Sequence, residues 1–254
     1  MSWTAIVLAG SRPGRDPFAE QFGTDLKALI PVGGQPMVLR PVRALLESAS
    51  VGDVIVMAQE QDRIAAVLRG DPRLSVRASQ GTIAQTMLGL IDASGVDWPL
   101  LITTGDHALL DAATVDEFCR GAEGADIGIG VVERANLLRR LPSTKRTWLQ
   151  FRGGAYTGAN LFALTSATAR SGIELWRSVE QDRKKAWRVM ALLGPVALAG
   201  AALRLLSLDQ VLARLGGKLR LSVGAVRLSN PLAGVDVDKA EDHALAEAIL
   251  RGDV

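Results

Sequence analysis

The chain has 254 residues, of which 48% are hydrophobic and 22% are charged, with 29 Lys and Arg residues against 27 Asp and Glu residues. This composition is typical of a folded globular protein and excludes wholesale disorder, and the near balance of charge argues against a nucleic-acid partner. One cysteine and two histidines exclude an intrachain disulfide, a cysteine-rich zinc site and a multi-histidine metal centre. The N-terminal segment has no basic region ahead of its short apolar run, so we expect a cytoplasmic enzyme or binding protein without a signal peptide.

Short apolar runs alternate with longer amphipathic stretches through the first half of the chain. The predicted strands are Trp3–Ala9, Asp53–Ala58, Leu74–Ala78, Trp98–Thr104 and Asp126–Val132, and the predicted helices are Pro36–Ser48, Asp62–Arg69, Thr82–Ala93 and Asp111–Ala122, the last with Asp111 as its N-cap. The strands are apolar throughout, which is typical of a parallel sheet covered on both faces. The pattern therefore predicts a doubly wound α/β unit that binds its ligands at the carboxyl ends of the strands.

The second half of the chain is less regular but is predicted to join the same sheet. We expect strands at Trp148–Phe151 and Asn160–Leu164 on either side of a Gly-rich turn at residues 153–158, and mostly helix over residues 165–215, with a break at Gly194-Pro195. A half-buried strand at Leu219–Leu228 and a final helix at Lys239–Leu250 follow. The whole chain is therefore interpreted as one domain with a C-terminal elaboration.

A Gly-containing loop follows the first strand and precedes Lys27. Such a loop lets backbone N–H groups approach phosphate oxygens, and the cations near it, Arg12, Arg15 and Lys27, balance phosphate charge. The loop is neither a Walker P-loop nor the dinucleotide-binding fingerprint. An ordinary surface loop is the alternative interpretation.

Three aspartates are candidate ligands of a hard cation. Asp106 follows the apolar run LLITT, where it is either a loop or cap residue or a Mg²⁺ ligand. Asp236 and Asp238 are two residues apart in an extended segment, so both carboxylates could face one cation. Asp238 is also a candidate N-cap of the last helix, and the two roles are compatible.

These features together resemble a known family. The order of four features is the one found in nucleotidyltransferases with a GT-A-like fold. These features are, along the chain, the segment AIVLAGSRPG, the segment KALIPVGGQPM, Asp106 and the late segment DVDKAED. These include the MobA-like NTP transferases, the cytidylyltransferases of isoprenoid synthesis and the sugar-phosphate nucleotidyltransferases. The resemblance implies a Rossmann-like three-layer α/β/α fold with a mixed, mainly parallel sheet. It also implies one domain over residues 1–254, with a nucleotide-binding half (1–132) and an acceptor-binding half (133–254) that carries a helical insertion (165–215).

The resemblance also implies which residues form the site. The nucleotide-binding set is Leu8, Ala9, Gly10, Ser11, Arg12, Lys27, Gln80, Gly81, Thr86 and Asp106, of which Arg12, Lys27 and Asp106 are the implied catalytic residues. The implied cofactor is Mg²⁺, held by Asp106 with Asp236 or Asp238. Ser11 replaces the second glycine that the family commonly has, and the segment from Ser11 to Lys27 is longer than usual.

The reaction implied by the resemblance transfers NMP from an NTP, with CTP favoured by analogy, to a small phosphorylated acceptor and releases pyrophosphate. The expected acceptor site is Lys145, Arg146, Gly158 and Asn160, and a solvated basic strand is the alternative. A GT-A glycosyltransferase that uses a nucleotide sugar and a non-catalytic nucleotide-binding protein remain alternative functions. The apolar stretch Val189–Leu206 predicts a helical hairpin that serves as a lid or as a homodimer contact, and residues 184–206 could touch a membrane surface weakly.

Overall fold

The computed structural model describes residues 2–10, 14–68, 70–93, 96–180, 200 and 203–254. The strands of this part of the chain are β1 (Trp3–Leu8), β2 (Pro31–Val32), β3 (Gln35–Pro36), β4 (Val51–Ala58), β5 (Leu74–Ala78), β6 (Leu100–Thr104), β7 (Ile127–Glu133), β8 (Leu149–Phe151), β9 (Gly154–Leu164) and β10 (Val223–Arg227). Within the described residues, an eight-stranded sheet has the order β10-β7-β9-β6-β1-β4-β5, with β8 paired to β9. Strands β2 and β3 form a separate small hairpin.

The sheet is mixed and mainly parallel, which confirms the expected fold class. Strand β1 pairs in parallel with β4 and β6, β4 pairs in parallel with β5, and β10 pairs in parallel with β7. Strand β9 lies between β6 and β7 and is antiparallel to both. The amino-terminal half of β9 therefore lies at the sheet edge where the parallel strands end.

Helices cover both faces of this sheet. Their bounds are α1 (Pro17–Glu20), α2 (Leu39–Glu47), α3 (Gln61–Val67), α4 (Ile83–Asp92), α5 (Ala112–Ala122), α6 (Arg134–Arg140), α7 (Arg170–Glu180), α8 (Leu208–Leu219) and α9 (Ala240–Arg251). Neighbouring residues of a strand enter opposite cores, as the pleat requires. Val7 packs in the core that includes Leu45 of α2 and Phe118 of α5, whereas Ile6 packs in the core that includes Met87 of α4 and Ile173 of α7.

The first half of the chain follows the predicted order of strands and helices closely. The bounds of β5 are those predicted, and the other elements differ by a few residues at their ends. The predicted N-cap of α5 is confirmed, because the Asp111 carboxylate accepts a hydrogen bond of 2.7 Å from the Thr114 N–H. The apolar runs and the capping residue are therefore the sequence features from which the elements of this half were predicted.

Two predictions in the second half are wrong. Residues 154–158 belong to β9 instead of a Gly-rich turn, because β7 and β8 supply antiparallel partners for this backbone, and the chain reverses at Arg152-Gly153. The N-cap position of α9 is Lys239, without a side-chain cap bond, so Asp238 is not the cap residue.

The expected helical insertion is described only in part. Within residues 165–215 the structure describes α7 and most of α8, whereas the break at Gly194-Pro195 and most of the apolar stretch 189–206 lie outside the described residues. The same holds for most of the expected membrane-contact segment 184–206. In the part of the chain that is described, no helix has the length and apolar character needed to cross a membrane.

Candidate active site

The loops after β1, β4, β5 and β6 meet at one edge of the sheet because these strands are parallel. Main-chain hydrogen bonds join the loops there: Gly105 donates to the Leu8 carbonyl over 3.0 Å, and Ala9 donates to the Met57 carbonyl over 2.9 Å. A Cβ added to Gly10 would lie 3.1 Å from the Gln59 side-chain nitrogen, so this loop passes close to the end of β4. Ser11 and Arg12, both expected in the nucleotide site, lie outside the described residues.

Lys27 is presented to this edge by a tightly packed segment. It opens a short 3₁₀ turn (Lys27–Leu29), and the β2–β3 hairpin that follows turns at Gly33 and Gly34, whose φ values are 60° and 75°. Two consecutive positive φ values are typical of a two-residue hairpin turn and favour glycine at both positions. Ile30 and Met37 flank the hairpin and are fully buried, so the sequence KALIPVGGQPM acts as a rigid support for the lysine.

The Lys27 ammonium contacts two carboxylates that are far apart in the sequence. Its Nζ lies 2.6 Å from Asp106 Oδ2 and also donates to Asp238 Oδ1. Burial lowers the pKa of Lys27, but the charges and hydrogen bonds of Asp106 and Asp238 raise it by more, so the pKa lies above its ordinary value. The lysine therefore remains a cation and stands between two of the three predicted metal ligands.

Asp106 is fixed from the side of β6. Its Oδ1 accepts a hydrogen bond of 2.5 Å from the Thr104 hydroxyl. The next residue, His107, is fully buried, its Nδ1 lies 3.2 Å from the Thr103 hydroxyl, and burial lowers its pKa despite the nearby Asp106 and Asp236 carboxylates. His107 therefore anchors the loop as a neutral side chain.

A second ion-pair cluster forms around Arg146, which lies between α6 and β8. The guanidinium contacts the Asp236 carboxylate through Nη1 and Asp242 Oδ1 through Nη2, the latter at 3.0 Å. Asp236 Oδ2 also accepts a hydrogen bond of 3.2 Å from Asn160 Nδ2. The structure thus places Arg146 and Asn160, which were expected to bind the acceptor, in contact with Asp236, which was expected to bind the metal.

Asn160 occupies an unusual backbone position. Its φ is 48°, in the left-handed region, at the point where the register of β9 against β7 shifts. Asparagine tolerates this conformation better than most residues, and irregularities of this kind re-aim side chains next to functional sites. The irregularity accompanies the contact of Asn160 with Asp236, an arrangement that no local sequence pattern predicts.

The residues expected to contact the base form a separate loop after β5. The Thr86 hydroxyl accepts from the Gln80 N–H over 3.1 Å and donates to the Gln80 carbonyl over 3.0 Å, and Thr86 is buried. Gly81 has a φ of 62°, and Gln80 and Gly81 are exposed. Thr86 therefore holds the loop, while Gln80 and Gly81 are its accessible part.

The other two residues expected at the acceptor, Lys145 and Gly158, are exposed, and Gly158 lies on the amino-terminal half of β9. Another cation of this region, Arg152 in the turn before β9, donates to Gln210 Oε1 on α8 over 3.3 Å. Two polar residues of the site, Thr104 and Asp242, were missed as site residues, although each lies within two to four residues of an aspartate that the sequence does single out.

Comparisons with known proteins give a consistent result. A family model described as the MobA-like NTP transferase domain matches residues 5–191. A hypothetical transferase from Thermus thermophilus is 31% identical with a TM-score of 0.80, over 96% of this chain and 100% of that chain. A 4-diphosphocytidyl-2C-methyl-D-erythritol synthase from Anaerococcus prevotii is 12% identical with a TM-score of 0.63, over 98% of each chain, which is a likeness of fold. The bifunctional protein GlmU of Sphingopyxis alaskensis is 33% identical over 113 residues, 44% of this chain and 24% of that protein, so the match spans about a quarter of that relative.

Proposed function

The chain belongs to the MobA-like NTP transferase family, and from that premise we propose that it transfers an NMP group from an NTP to a small phosphorylated acceptor, releasing pyrophosphate. The observation that carries the proposal is the Lys27 ammonium held between Asp106 and Asp238, beside the loop after β1. A cation and two carboxylates at the carboxyl edge of a mainly parallel sheet form the charge pattern that a metal–triphosphate complex requires.

The donor groups of this site fit a magnesium ion. Magnesium is bound in proteins by one or two carboxylates together with phosphate oxygens and water, so a larger protein cage is not needed. Within the described residues, no group of three or more His, Cys, Asp or Glu side chains is arranged to hold a metal. Asp106 and Asp238 are the proposed ligands because they share one ammonium group, whereas Asp236 is bonded to Arg146 and Asn160. When bound, magnesium supplies Lewis-acid stabilisation of the charge on the α-phosphate.

The chemical step requires positioning and charge neutralisation. An anionic oxygen of the acceptor phosphate attacks the α-phosphorus, a new P–O bond forms there, and the bond from the α-phosphorus to the bridging oxygen of pyrophosphate breaks. The nucleophile is already deprotonated, so no general base is required. Backbone N–H groups around Gly10 and the Lys27 ammonium bind the phosphates and stabilise the departing pyrophosphate, and Arg12 is proposed to assist from the same loop.

The nucleotide proposed is CTP, and the accessible Gln80-Gly81 segment is proposed to contact the base. The support is an analogy with the structural neighbour from Anaerococcus prevotii, a 4-diphosphocytidyl-2C-methyl-D-erythritol synthase. The side-chain amide of Gln80 both donates and accepts hydrogen bonds, as the edge of a cytosine requires. For the acceptor, exposed Lys145 and the Gly158–Asn160 stretch of β9 are proposed to bind a phospho-alcohol, a phosphoglycerate-like acid or a sugar phosphate.

The test is a matrix of the four NTPs against a panel of phosphate monoesters in the presence of Mg²⁺, with release of pyrophosphate as the readout. We expect release that depends on both substrates and is lost in Asp106→Asn. Transfer from a nucleotide sugar without pyrophosphate release would instead indicate a glycosyltransferase of the same fold. Binding of an NTP without turnover for every acceptor of the panel would favour a nucleotide-binding protein.

A further inference from the structure

Arg146 is a charged side chain that is nearly buried. Only 10% of its side chain is exposed, and its Nε is inaccessible to solvent. A buried charge is tolerated only when partners compensate it. The partners are the Asp236 carboxylate at Nη1 and, at Nη2, Asp242 Oδ1 at 3.0 Å and the Asp236 carbonyl at 3.4 Å. Both terminal nitrogens of the guanidinium thus contact groups of its own chain, and little of the side chain is left exposed for a phosphate.

The partners of Arg146 in turn fix the backbone between them. Asp242 is as buried as Arg146, and its Oδ2 accepts a hydrogen bond of 3.4 Å from the backbone N–H of Asp238. Asp236 precedes Asp242 by six residues, just before α9, and is bonded to Asn160. Arg146 therefore joins the two ends of the segment 236–242, which runs into the first turn of α9, and Asp238, which contacts Lys27, lies between those ends.

Charge and exposure support the same division of roles. Among the described side chains of these two clusters, Lys27 faces Asp106 and Asp238, and Arg146 faces Asp236 and Asp242, so each cluster carries one negative charge in excess. Arg146 and Asp242 are nearly buried, whereas 62% of the Asp238 side chain is exposed. Asp106 and Asp238 are therefore the pair that a cation from solvent can reach.

We propose that Arg146 is a positioning residue for the metal site and does not bind the acceptor. By holding the segment 236–242, it aims the Asp238 carboxylate toward Asp106. The proposal rests on the proposed function, because it assigns Arg146 to the metal ligands of that reaction. A planar guanidinium can bind two carboxylates in a fixed fork, whereas a lysine ammonium cannot reproduce this geometry.

The decisive variants are Arg146→Lys and Asp242→Asn, with Arg73→Lys as the matched control. Arg146→Lys keeps the charge and removes the fork. Asp242→Asn removes the charge and one of the two acceptor oxygens, so the side chain can no longer accept from both Arg146 and the Asp238 N–H. Arg73 is likewise paired with an aspartate, Asp71, but it precedes β5 at the opposite edge of the sheet. Binding is measured by titrating Mn²⁺ into each protein, alone and with CTP, and following the electron paramagnetic resonance signal of free Mn²⁺. Thermal melts, kcat and the KM for the acceptor accompany each titration.

We expect Arg146→Lys and Asp242→Asn each to weaken Mn²⁺ binding at least about tenfold, the lower end of what changes to residues behind metal ligands cause. In both variants kcat falls and the acceptor KM stays within about twofold of wild type, and Arg73→Lys matches wild type throughout. If Arg146→Lys raises the acceptor KM and leaves Mn²⁺ binding unchanged, Arg146 binds the acceptor and the proposal is wrong. Unchanged Mn²⁺ binding in Asp242→Asn also overturns it, and this variant decides the question if Arg146→Lys does not fold.

The failure of this proposal can be told apart from a failure of the proposed function. Wild-type protein that binds Mn²⁺ but releases no pyrophosphate with any NTP refutes the nucleotidyltransferase reaction, while the comparison of Mn²⁺ affinities still decides the role of Arg146. Wild-type protein that binds no Mn²⁺, with or without CTP, overturns the positioning role itself.

Discussion

The backbone N–H of Val237 donates to the carbonyl oxygen of Asp106 over 3.1 Å, which joins the last acidic segment to the loop after β6. This bond belongs to the main chain, so substitution of the Asp106 or the Asp238 side chain leaves it in place. The two loops that carry the proposed metal ligands are therefore held together independently of those ligands, and changes to the side chains test chemistry with little effect on the fold.

Asp106→Asn preserves shape and removes a charge from the site. We expect a loss of rate of at least about a hundredfold, the scale seen when a major electrostatic stabiliser of a transition state is removed. The melting temperature should remain close to that of wild type because the Val237 bond persists. Pyrophosphate release measures the loss of rate, and a thermal melt measures the stability. Near-normal turnover at saturating Mg²⁺ would contradict the assignment of Asp106 as a metal ligand.

Lys27→Met removes the cation that separates two carboxylates. Turnover should fall by at least about a hundredfold for every acceptor, because the triphosphate loses its positioning charge. Without Mg²⁺ the variant should melt several degrees below wild type, since Asp106 and Asp238 then repel each other. Added Mg²⁺ should restore part of this loss by binding the folded state.

The control for this prediction is Lys218→Met, which changes an exposed lysine in the last turn of α8. It should match wild type in both assays. A Lys27→Met protein that melts like wild type in Mg²⁺-free buffer would show that the two carboxylates do not depend on the lysine.

The order of strands and helices in the first half was predictable because parallel strands covered on both faces are apolar at every position, as in the run LLITT before Asp106. The β2–β3 hairpin was not predicted, although the paired glycines Gly33 and Gly34, which take the two positive φ values of its turn, are a local signal for it. By contrast, Gly-rich residues 154–158 resemble a turn when they are read locally. Their partners β7 and β8 are distant in the sequence, and pairing with these strands decides their structure.

The site was predictable as a set of residues but not as a set of contacts. Lys27, Asp106 and Asp238 were singled out by their places in the sequence pattern, and the resemblance to a family implied their roles. The structure brings all three together. The bonds of Arg146 to Asp236 and Asp242 join segments that are about ninety residues apart, and no periodicity or spacing encodes them. Arg146 was therefore assigned by its charge and its neighbours in the sequence, which suggested the acceptor.

Asp238 allows a direct comparison of two substitutions. Because the N-cap position of α9 is Lys239, without a side-chain bond, Asp238→Ala and Asp238→Asn should melt at the same temperature. A lost cap would separate them by about 1 kcal/mol of unfolding free energy. Both variants should need more Mg²⁺ for half-maximal rate. A lower melting temperature for Asp238→Ala alone would instead show that Asp238 caps α9.

Cys119 should be inert in the folded protein. It is buried in α5, and burial, with smaller contributions from Asp116 and Glu123, raises its pKa to about 12. The thiolate is the reactive form, so a disulfide reagent at pH 8 should label Cys119 only as fast as the protein opens. Rapid labelling of the native protein would contradict the packing of α5, and labelling in denaturant serves as the control.

Asp126 should make the protein sensitive to acid. Its carboxylate accepts hydrogen bonds from the Ser222 N–H at 2.7 Å and the Ser222 hydroxyl at 2.8 Å, which fixes the start of β10 beside β7. The two bonds from Ser222 lower the pKa of Asp126, burial opposes them, and a bond from Thr168 adds to the lowering.

A pKa that is lower in the folded state than in the unfolded chain gives stability that is fully present above the unfolded value of about 3.9. That stability is lost as pH falls through the folded pKa. Asp126→Asn cannot titrate, so its melting temperature should lie below that of wild type at pH 7, and the difference should shrink as the pH approaches 3. The measurement is a series of thermal melts of both proteins from pH 7 to pH 3. A difference that stays constant over this range would show that the carboxylate charge of Asp126 contributes nothing to holding β10.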